Sequence, residues 1–231
     1  MQNNQLPVSI IIPVYNEALM IENLLHQLSK SNFDEVIIVD GRSTDATVDL
    51  IKQYDVHLII AEIRSRSFQM NLGANSATND YLLFLHADIV LPEKFRSIIE
   101  ITVEKKVALA NFKIQFDWDH WFLKANAFFS RFRWNCFQFG DQGLLIKTSL
   151  FKKIEGYNNQ FYLAEGNELI RRARKYSNFI KLDVFLLISV RKYLRHGVYK
   201  LQLIYCLIYL LIRVGVNQKL ILNSYHKLLK D

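Results

Sequence analysis

Val8 to Val14 (VSIIIPV) is a β-branched, apolar run, followed by Tyr15, Asn16 and Glu17 and then by a spacing that puts Leu24, Leu25 and Leu28 on one helical face. This predicts strand, loop and helix, and the pattern recurs. Glu35 to Val39 (EVIIV) predicts a second strand ending in Asp40, and Gly41 to Asp45 leads into a helix that Thr44 or Asp45 would cap. His57 to Ile60 predicts a third short strand, and Ser65 to Ala77 a helix approached by Arg64 and Arg66. Tyr81 to Pro92 (YLLFLHADIVLP) reads as a fourth strand, apolar until it delivers His86, Ala87 and Asp88 to its C-terminal end. Strands without alternation are covered on both faces, and strands alternating with helices build a parallel sheet. The loops after such strands gather along one edge, where open α/β sheets bind ligands.

The second half changes character. Val107 to Phe116 alternates apolar and polar residues, as an edge or mixed-sheet strand does. Asp119 to Asn135 predicts a helix carrying Trp121, Phe122, Phe128, Phe129, Phe132 and Trp134, either a buried brace, the commoner use of aromatic faces, or a wall for an acceptor. Phe139 to Ile146 (FGDQGLLI) is a turn into a short strand, with Asp141 in the bend. Glu165 to Ser177 predicts a helix with Glu165 and Glu168 one turn apart, followed by Arg171, Arg172, Arg174 and Lys175. Gly197 to Lys230 predicts two helices broken at Gly215 and Asn217. The first, Val198 to Arg213, suits either a core or a membrane surface. The expected division is a polar N-terminus (1–5), one α/β domain (6–196) with a nucleotide-binding half (6–110) and an acceptor half (111–196), and a helical extension (197–231).

The loops after the four strands share a theme. They present Pro13, Tyr15 and Glu17; Asp40 and Ser43 to Asp45; Arg64 and Arg66; His86 and Asp88. Carboxylates suited to a base edge, a ribose or a metal stand beside guanidiniums suited to phosphates, which outlines a site for a nucleotide diphosphate. Alone, Asp88 would more simply start a turn or cap the helix after Pro92, as Asp commonly does. Its company on one sheet edge favours a ligand.

At 231 residues and 51% hydrophobic content the chain can bury one large core. The net charge of +7 is unevenly spread, with −5 on residues 1–110 and +12 on residues 111–231. The acidic half suits a metal, and the basic half suits phosphates or anionic lipid. No nucleic-acid-binding motif accompanies the charge, so no nucleic-acid partner is expected. Cys136 and Cys206 lie far apart and match no zinc spacing, which suits reduced thiols in the cytoplasm. Leu6 to Val14 follows no basic segment and precedes no small-residue cleavage site, so no signal peptide is expected. The apolar run Leu201 to Ile212 falls short of the ~20 residues that span a bilayer. A cytoplasmic protein is expected, with peripheral association on an anionic inner membrane face as a further expectation.

Taken in order, SIIIPVYNE, VDGRSTDAT, RSRSFQMNLGA, LLFLHADIVLP and FGDQGLLI resemble the family 2 glycosyltransferases of the GT-A fold. The likeness is greatest to a bacterial branch that reads HAD at the metal-binding position and GDQG further on. It covers nearly the whole chain. It implies a Rossmann-like, mostly parallel sheet flanked by helices, ending in C-terminal apolar helices. The implied activity is an inverting, metal-dependent transfer from a nucleotide sugar, with a UDP-sugar expected, to a lipid-linked or glycan acceptor.

Residue by residue, the resemblance implies that Pro13, Tyr15 and Glu17 border the base and ribose, that Asp40 bonds the base with Ser43 beside it, and that Arg66 contacts the diphosphate. His86 stands where the family's DxD motif has its first Asp. Asp88 matches the last and would hold Mg²⁺ or Mn²⁺, with more ligands drawn from phosphate and water. The family's Glu-Asp pair, whose Asp deprotonates the acceptor, reads Glu165-Gly166 here. Glu165, Glu168 and Asp141 are then the candidate bases. The alternative is a nucleotide-sugar-binding scaffold that keeps the donor site without the base. His196, after Arg191, Lys192 and Arg195, would approach the diphosphate or belong to a solvated basic turn. A nucleotidyltransferase needs a glycine-rich loop after the first strand, and PVYNE has no glycine.

Overall fold

The computed structural model describes residues 6–134, 138 and 142–229. β1 (Val8–Val14) is buried at every position, as a strand covered on both faces must be. α1 (Ala18–Lys30) returns over it through Ile21, Leu24, Leu25 and Leu28. β2 (Glu35–Asp40), α2 (Thr47–Ile51), β3 (His57–Ile60), α3 (Arg66–Ser76) and β4 (Tyr81–Phe84) follow. Together they form the expected parallel array, ordered β3-β2-β1-β4. The fit of α3 on this array depends on Gly73, where a Cβ would stand 2.6 Å from Ile11 Cγ2 and 3.1 Å from Val39 Cγ2.

The stretch expected as a fourth strand is two strands. β4 stops at Phe84, and β5 (Ile89–Val90) lies at the far end of the sheet, antiparallel to β8 (Ile180–Ile188). Between them come β7 (Leu144–Lys147), antiparallel to β4, and β6 (Leu109–Phe116), giving the order β3-β2-β1-β4-β7-β6-β8-β5. Pairing is parallel throughout the first half and mixed beyond β4. The mixed-sheet reading of residues 107–116 holds, but not the edge reading: β6 is flanked by β7 and β8, so Leu109 to Phe112 are buried on both faces. The division expected at 110/111 falls inside this strand.

Two reversals of direction, from β4 to β7 and from β7 to β6, leave β6 and β8 running with β1, β2 and β4. Their C-terminal ends and the start of β7 therefore meet on one edge. One face of the sheet packs against α1 and α4 (Phe95–Glu104), the other against α3, α6 (Thr148–Lys153) and α7 (Glu165–Ala173).

A separate apolar cluster joins α5 (Trp121–Phe129), α8 (Arg191–His196), α9 (Val198–Arg213) and α10 (Gln218–Leu229). The break between α9 and α10 is where the sequence puts it, with Gly215 at φ +81°. α9 buries only one stripe, Val198, Leu201, Ile204 and Ile208. α5 is shorter than expected and buries only Leu123, while Trp121, Phe128, Phe129, Phe132 and Trp134 are exposed. The aromatic face is therefore not a buried brace. Among the described residues no helix is long and apolar enough to cross a membrane.

Candidate active site

The loops after β1 and β2 are clasped together by their short polar residues. Asn16, at φ +52°, donates its backbone N–H to Ser43 Oγ at 2.9 Å, and its side-chain oxygen accepts from Thr44 N at 2.8 Å. Glu17 N donates to Thr47 Oγ1 at 2.9 Å, and Ala18 N to Asp45 Oδ2 at 3.2 Å. Slight burial pushes the Asp45 carboxyl up, but the hydrogen bonds from Thr47 and Ala18 win and hold it below its usual range. Asp40 is buried and accepts from Ser43 N at 2.9 Å and Ser43 Oγ at 2.5 Å. An ionised carboxylate has about four acceptor positions, so this leaves capacity for a ligand N–H. Pro13 is buried within β1 opposite Val39. The Arg64 guanidinium lies 3.5 Å from the centroid of the Tyr15 ring, a cation over an aromatic face.

Gln69 holds these ends from behind. Its buried amide donates to Val14 O at 2.9 Å and Val39 O at 2.7 Å, tying α3 to the last turns of β1 and β2. Nothing but the polar residue on the sheet-facing side of a helix signals this in the sequence.

Residues 85–88 join β4 to β5 on the same edge. His86 is buried and Asp88 half-buried, and the Asp88 carbonyl accepts from Ser189 N at 3.3 Å. From β8's end, Arg191 Nη2 donates to Glu17 Oε2 at 2.7 Å, bringing the last part of the chain onto the first loop. His196 falls in the short helix α8 rather than a turn. With Asn16, Arg191, Lys192, Arg195 and Tyr225 it lines a cavity of about 320 Å³.

The other side of the site is a narrow crevice whose walls include Phe84, His86, Gly143, Tyr157, Glu165 and Gly166. Glu165 opens α7 and is 5% exposed, with Oε1 3.7 Å from Arg66 Nη1. Burial pushes the Tyr157 hydroxyl well above its usual value, and the Glu165 charge adds to this against the opposing Arg66. The structure thus brings Arg66, His86 and Glu165 together, and separately Tyr15, Glu17, Asp40 and Ser43. Glu168 is engaged otherwise: Arg172 Nε and Nη2 donate to its two oxygens at 2.7 and 2.8 Å, and Arg172 also donates to the carbonyls of Ile154 and Gly156. Asp141 lies outside the described residues.

A polar cluster behind the crevice has little sequence signal. Lys181 Nζ, from β8, donates to Gln142 Oε1 at 2.7 Å and Gln138 Oε1 at 3.1 Å, and Asn111 Nδ2 donates to the same oxygens at 2.8 and 3.0 Å. Burial, helped by the Lys113 charge, lowers the Lys181 pKa to about 7.

The family model described as "Glycosyl transferase family 2" matches residues 9–173. A relative from Methanococcus voltae, dolichyl N-acetyl-alpha-D-glucosaminyl phosphate 3-beta-D-2,3-diacetamido-2,3-dideoxy-beta-D-glucuronosyltransferase, is 34% identical over 92 residues, 35% of this chain and 28% of that one. The crystal structure of S. aureus TarS 1-349 in complex with UDP-GlcNAc superposes with a TM-score of 0.66 at 18% identity, covering 80% of this chain and 58% of that one. The mannosyltransferase PcManGT from Pyrobaculum calidifontis, in complex with GDP-Man and Mn²⁺, gives a TM-score of 0.66 at 20% identity, covering 96% and 69%. The matches to the first curated relatives span less than a third of their lengths. The fold shared with these structures is GT-A.

Proposed function

From the premise that this chain belongs to glycosyl transferase family 2 and is a glycosyltransferase using nucleotide sugars, we propose an inverting transfer from a UDP-sugar to a hydroxyl of a lipid-linked or glycan acceptor. One observation carries the reading. Glu165 offers a carboxylate, buried against Arg66, to the crevice that His86 also lines. UDP-GlcNAc in TarS and the dolichyl phosphate glycan in the archaeal relative's name support the donor and acceptor classes.

In this reading Tyr15, Glu17, Asp40 and Ser43 hold the base and ribose, and Arg66 faces the diphosphate with a rigid guanidinium suited to phosphate oxygens. The acceptor oxygen bonds the anomeric carbon from one side while the bond to the diphosphate oxygen breaks on the other. Glu165 takes the acceptor's proton, and the diphosphate leaves with the bonding electron pair.

Asp88 is the residue that would hold Mg²⁺ or Mn²⁺. Among the described residues no group of three or more His, Cys, Asp or Glu converges on a metal site. An ion on Asp88 would draw its remaining ligands from phosphate oxygens and water, as Mg²⁺ commonly does. Bound there, the ion would offset negative charge on the departing diphosphate. A cytoplasmic location belongs to the same reading; peripheral association with an anionic membrane is a separate proposal.

A second reading, a nucleotide-sugar-binding scaffold, is favoured by Gly166, which lines the crevice where the family carries its Asp. Turnover of a panel of nucleotide sugars by wild type and Glu165→Gln separates the two. UDP binding with turnover that Glu165→Gln abolishes supports the transferase. UDP binding without turnover, with activity gained in Gly166→Asp, supports the scaffold. Absence of nucleotide binding overturns both.

A further inference from the structure

We propose that α9 and the adjoining face of α5 form one docking surface for an anionic lipid bilayer, set on the same edge of the sheet as the donor loops. Tyr199, Leu203, Leu207, Leu210 and Val214 recur at helical spacing along α9 and are between 44% and 76% exposed. They form the stripe opposite the one that α9 buries. α5 continues the surface: the Tyr199 ring centroid lies 5.4 Å from that of Phe122 and 6.5 Å from that of Trp121, and Asn126 Nδ2 donates to Gln202 Oε1 at 2.9 Å. Trp121 and Phe128 are themselves exposed. An exposed apolar surface this continuous marks an interaction site rather than ordinary scatter.

The charge around it selects the occupant. Between residues 184 and 230 the chain has eight Lys and Arg and no Asp or Glu. Lys200 and Arg213 sit at the two ends of α9, and both are exposed. A helix with this composition lies in the interfacial plane, its apolar stripe among acyl chains and its basic residues on anionic headgroups. Trp and Tyr suit the same depth. A second copy of the chain would instead bring two basic faces together and repel.

The placement links this surface to the site. β6 and β8 end on the edge that carries the donor loops; α5 follows β6, and α8 and α9 follow β8. Arg191, at the start of α8, bonds Glu17 directly. A bilayer under α5 and α9 therefore lies beside the mouth of the site, where an acceptor on a lipid anchor would arrive. Only this last step rests on the proposed acceptor class; docking itself does not.

The test is sedimentation of the full chain with vesicles of phosphatidylcholine alone or mixed with phosphatidylglycerol, together with UDP binding. Wild type is expected to bind the mixed vesicles preferentially. Leu203→Glu/Leu207→Glu, which alters only outward positions, is expected to lose about tenfold or more in vesicle affinity. Lys200→Glu/Arg213→Glu is expected to lose the preference for the anionic mixture, and both variants keep the wild-type circular dichroism and UDP affinity. Equal vesicle binding by wild type and Leu203→Glu/Leu207→Glu overturns the proposal. So does equal binding to the two lipid mixtures, or a dimer, seen by ultracentrifugation, that Leu203→Glu/Leu207→Glu dissociates. Loss of vesicle binding with UDP binding intact leaves the transferase reading standing, so the two fail separately.

Discussion

Arg66 Nη1 stands 3.7 Å from Glu165 Oε1, so a guanidinium carried by the helix after β3 faces a carboxylate almost a hundred residues later. In the proposed reading Arg66 serves the donor diphosphate and Glu165 the acceptor hydroxyl. Glu165→Gln is expected to lower kcat by about 10²–10⁴ while UDP affinity stays near wild type. Arg66→Ala is expected to weaken UDP binding as well. Steady-state kinetics with calorimetry checks both, and an unchanged kcat in Glu165→Gln rules out this base.

Glu168 is held at both oxygens by Arg172, which in turn satisfies two backbone carbonyls. Removing one member of such a buried pair leaves the other charge uncompensated. Glu168→Ala is expected to cost about 3 kcal/mol in urea unfolding while the folded protein keeps its kcat. A loss of turnover without a loss of stability would return Glu168 to the list of bases.

Asp88→Ala is expected to abolish the part of UDP affinity that depends on added Mn²⁺ and to leave the metal-independent part. Titration with UDP in Mn²⁺ or in EDTA measures the two. If Mn²⁺ strengthens UDP binding equally in the variant, the metal ligand lies elsewhere.

Lys181 predicts a pH dependence of stability. Its pKa falls from 10.5 to about 7 on folding, chiefly by burial. Between those values the unfolded chain binds the extra proton, so stability rises with pH from about 7 to about 10.5, and it is lowest below that window. Lys181 Nζ reaches three acceptors, Gln142 Oε1 at 2.7 Å, Gln138 Oε1 at 3.1 Å and Phe112 O at 3.4 Å, so burial, not a shortage of partners, lowers its pKa. Lys181→Met is expected to flatten the slope of urea midpoint against pH, and an unchanged slope would exclude this lysine as its source.

Gly73→Ala would push a methyl into Ile11 and Val39 across the contact between α3 and the sheet. The expected cost is about 1–3 kcal/mol in thermal or urea unfolding. A cost near zero would mean that α3 can ride outward from the sheet.

The first half of the fold was legible because each strand and helix there is specified by its own residues, and parallel neighbours follow from their alternation. The break after Phe84 was not, because Ile89 and Val90 are assigned by pairing with β8, a hundred residues later, and nothing local marks the change of partner. Aromatic spacing gave the helix at α5 but not the side it turns to solvent, which depends on α9 lying beside it. The residues proposed for the donor sit at strand ends in sequence order, so their gathering on one edge follows from the alternation of strands and helices. The contacts of Arg66 with Glu165, of Arg191 with Glu17 and of Gln69 with two strand ends exist only once distant segments meet.

The short crossing from β4 to β5 also fixes the shape of the whole sheet. Five residue steps from Phe84 to Ile89 reach at most about 18 Å. Laid flat, four strand spacings would already separate the two by about 19 Å. The climb along β6, from Asn111 level with Leu144 to Phe116 level with Ile188, would add about 16 Å along the strands. The sheet must coil until its far end returns toward its middle, and residues 85–88 are the chord that closes the arc. Asp88 is thus placed by the length of a strap: one added residue there would lengthen it by about 3 Å, more than the metal–oxygen contact proposed for Asp88 could absorb.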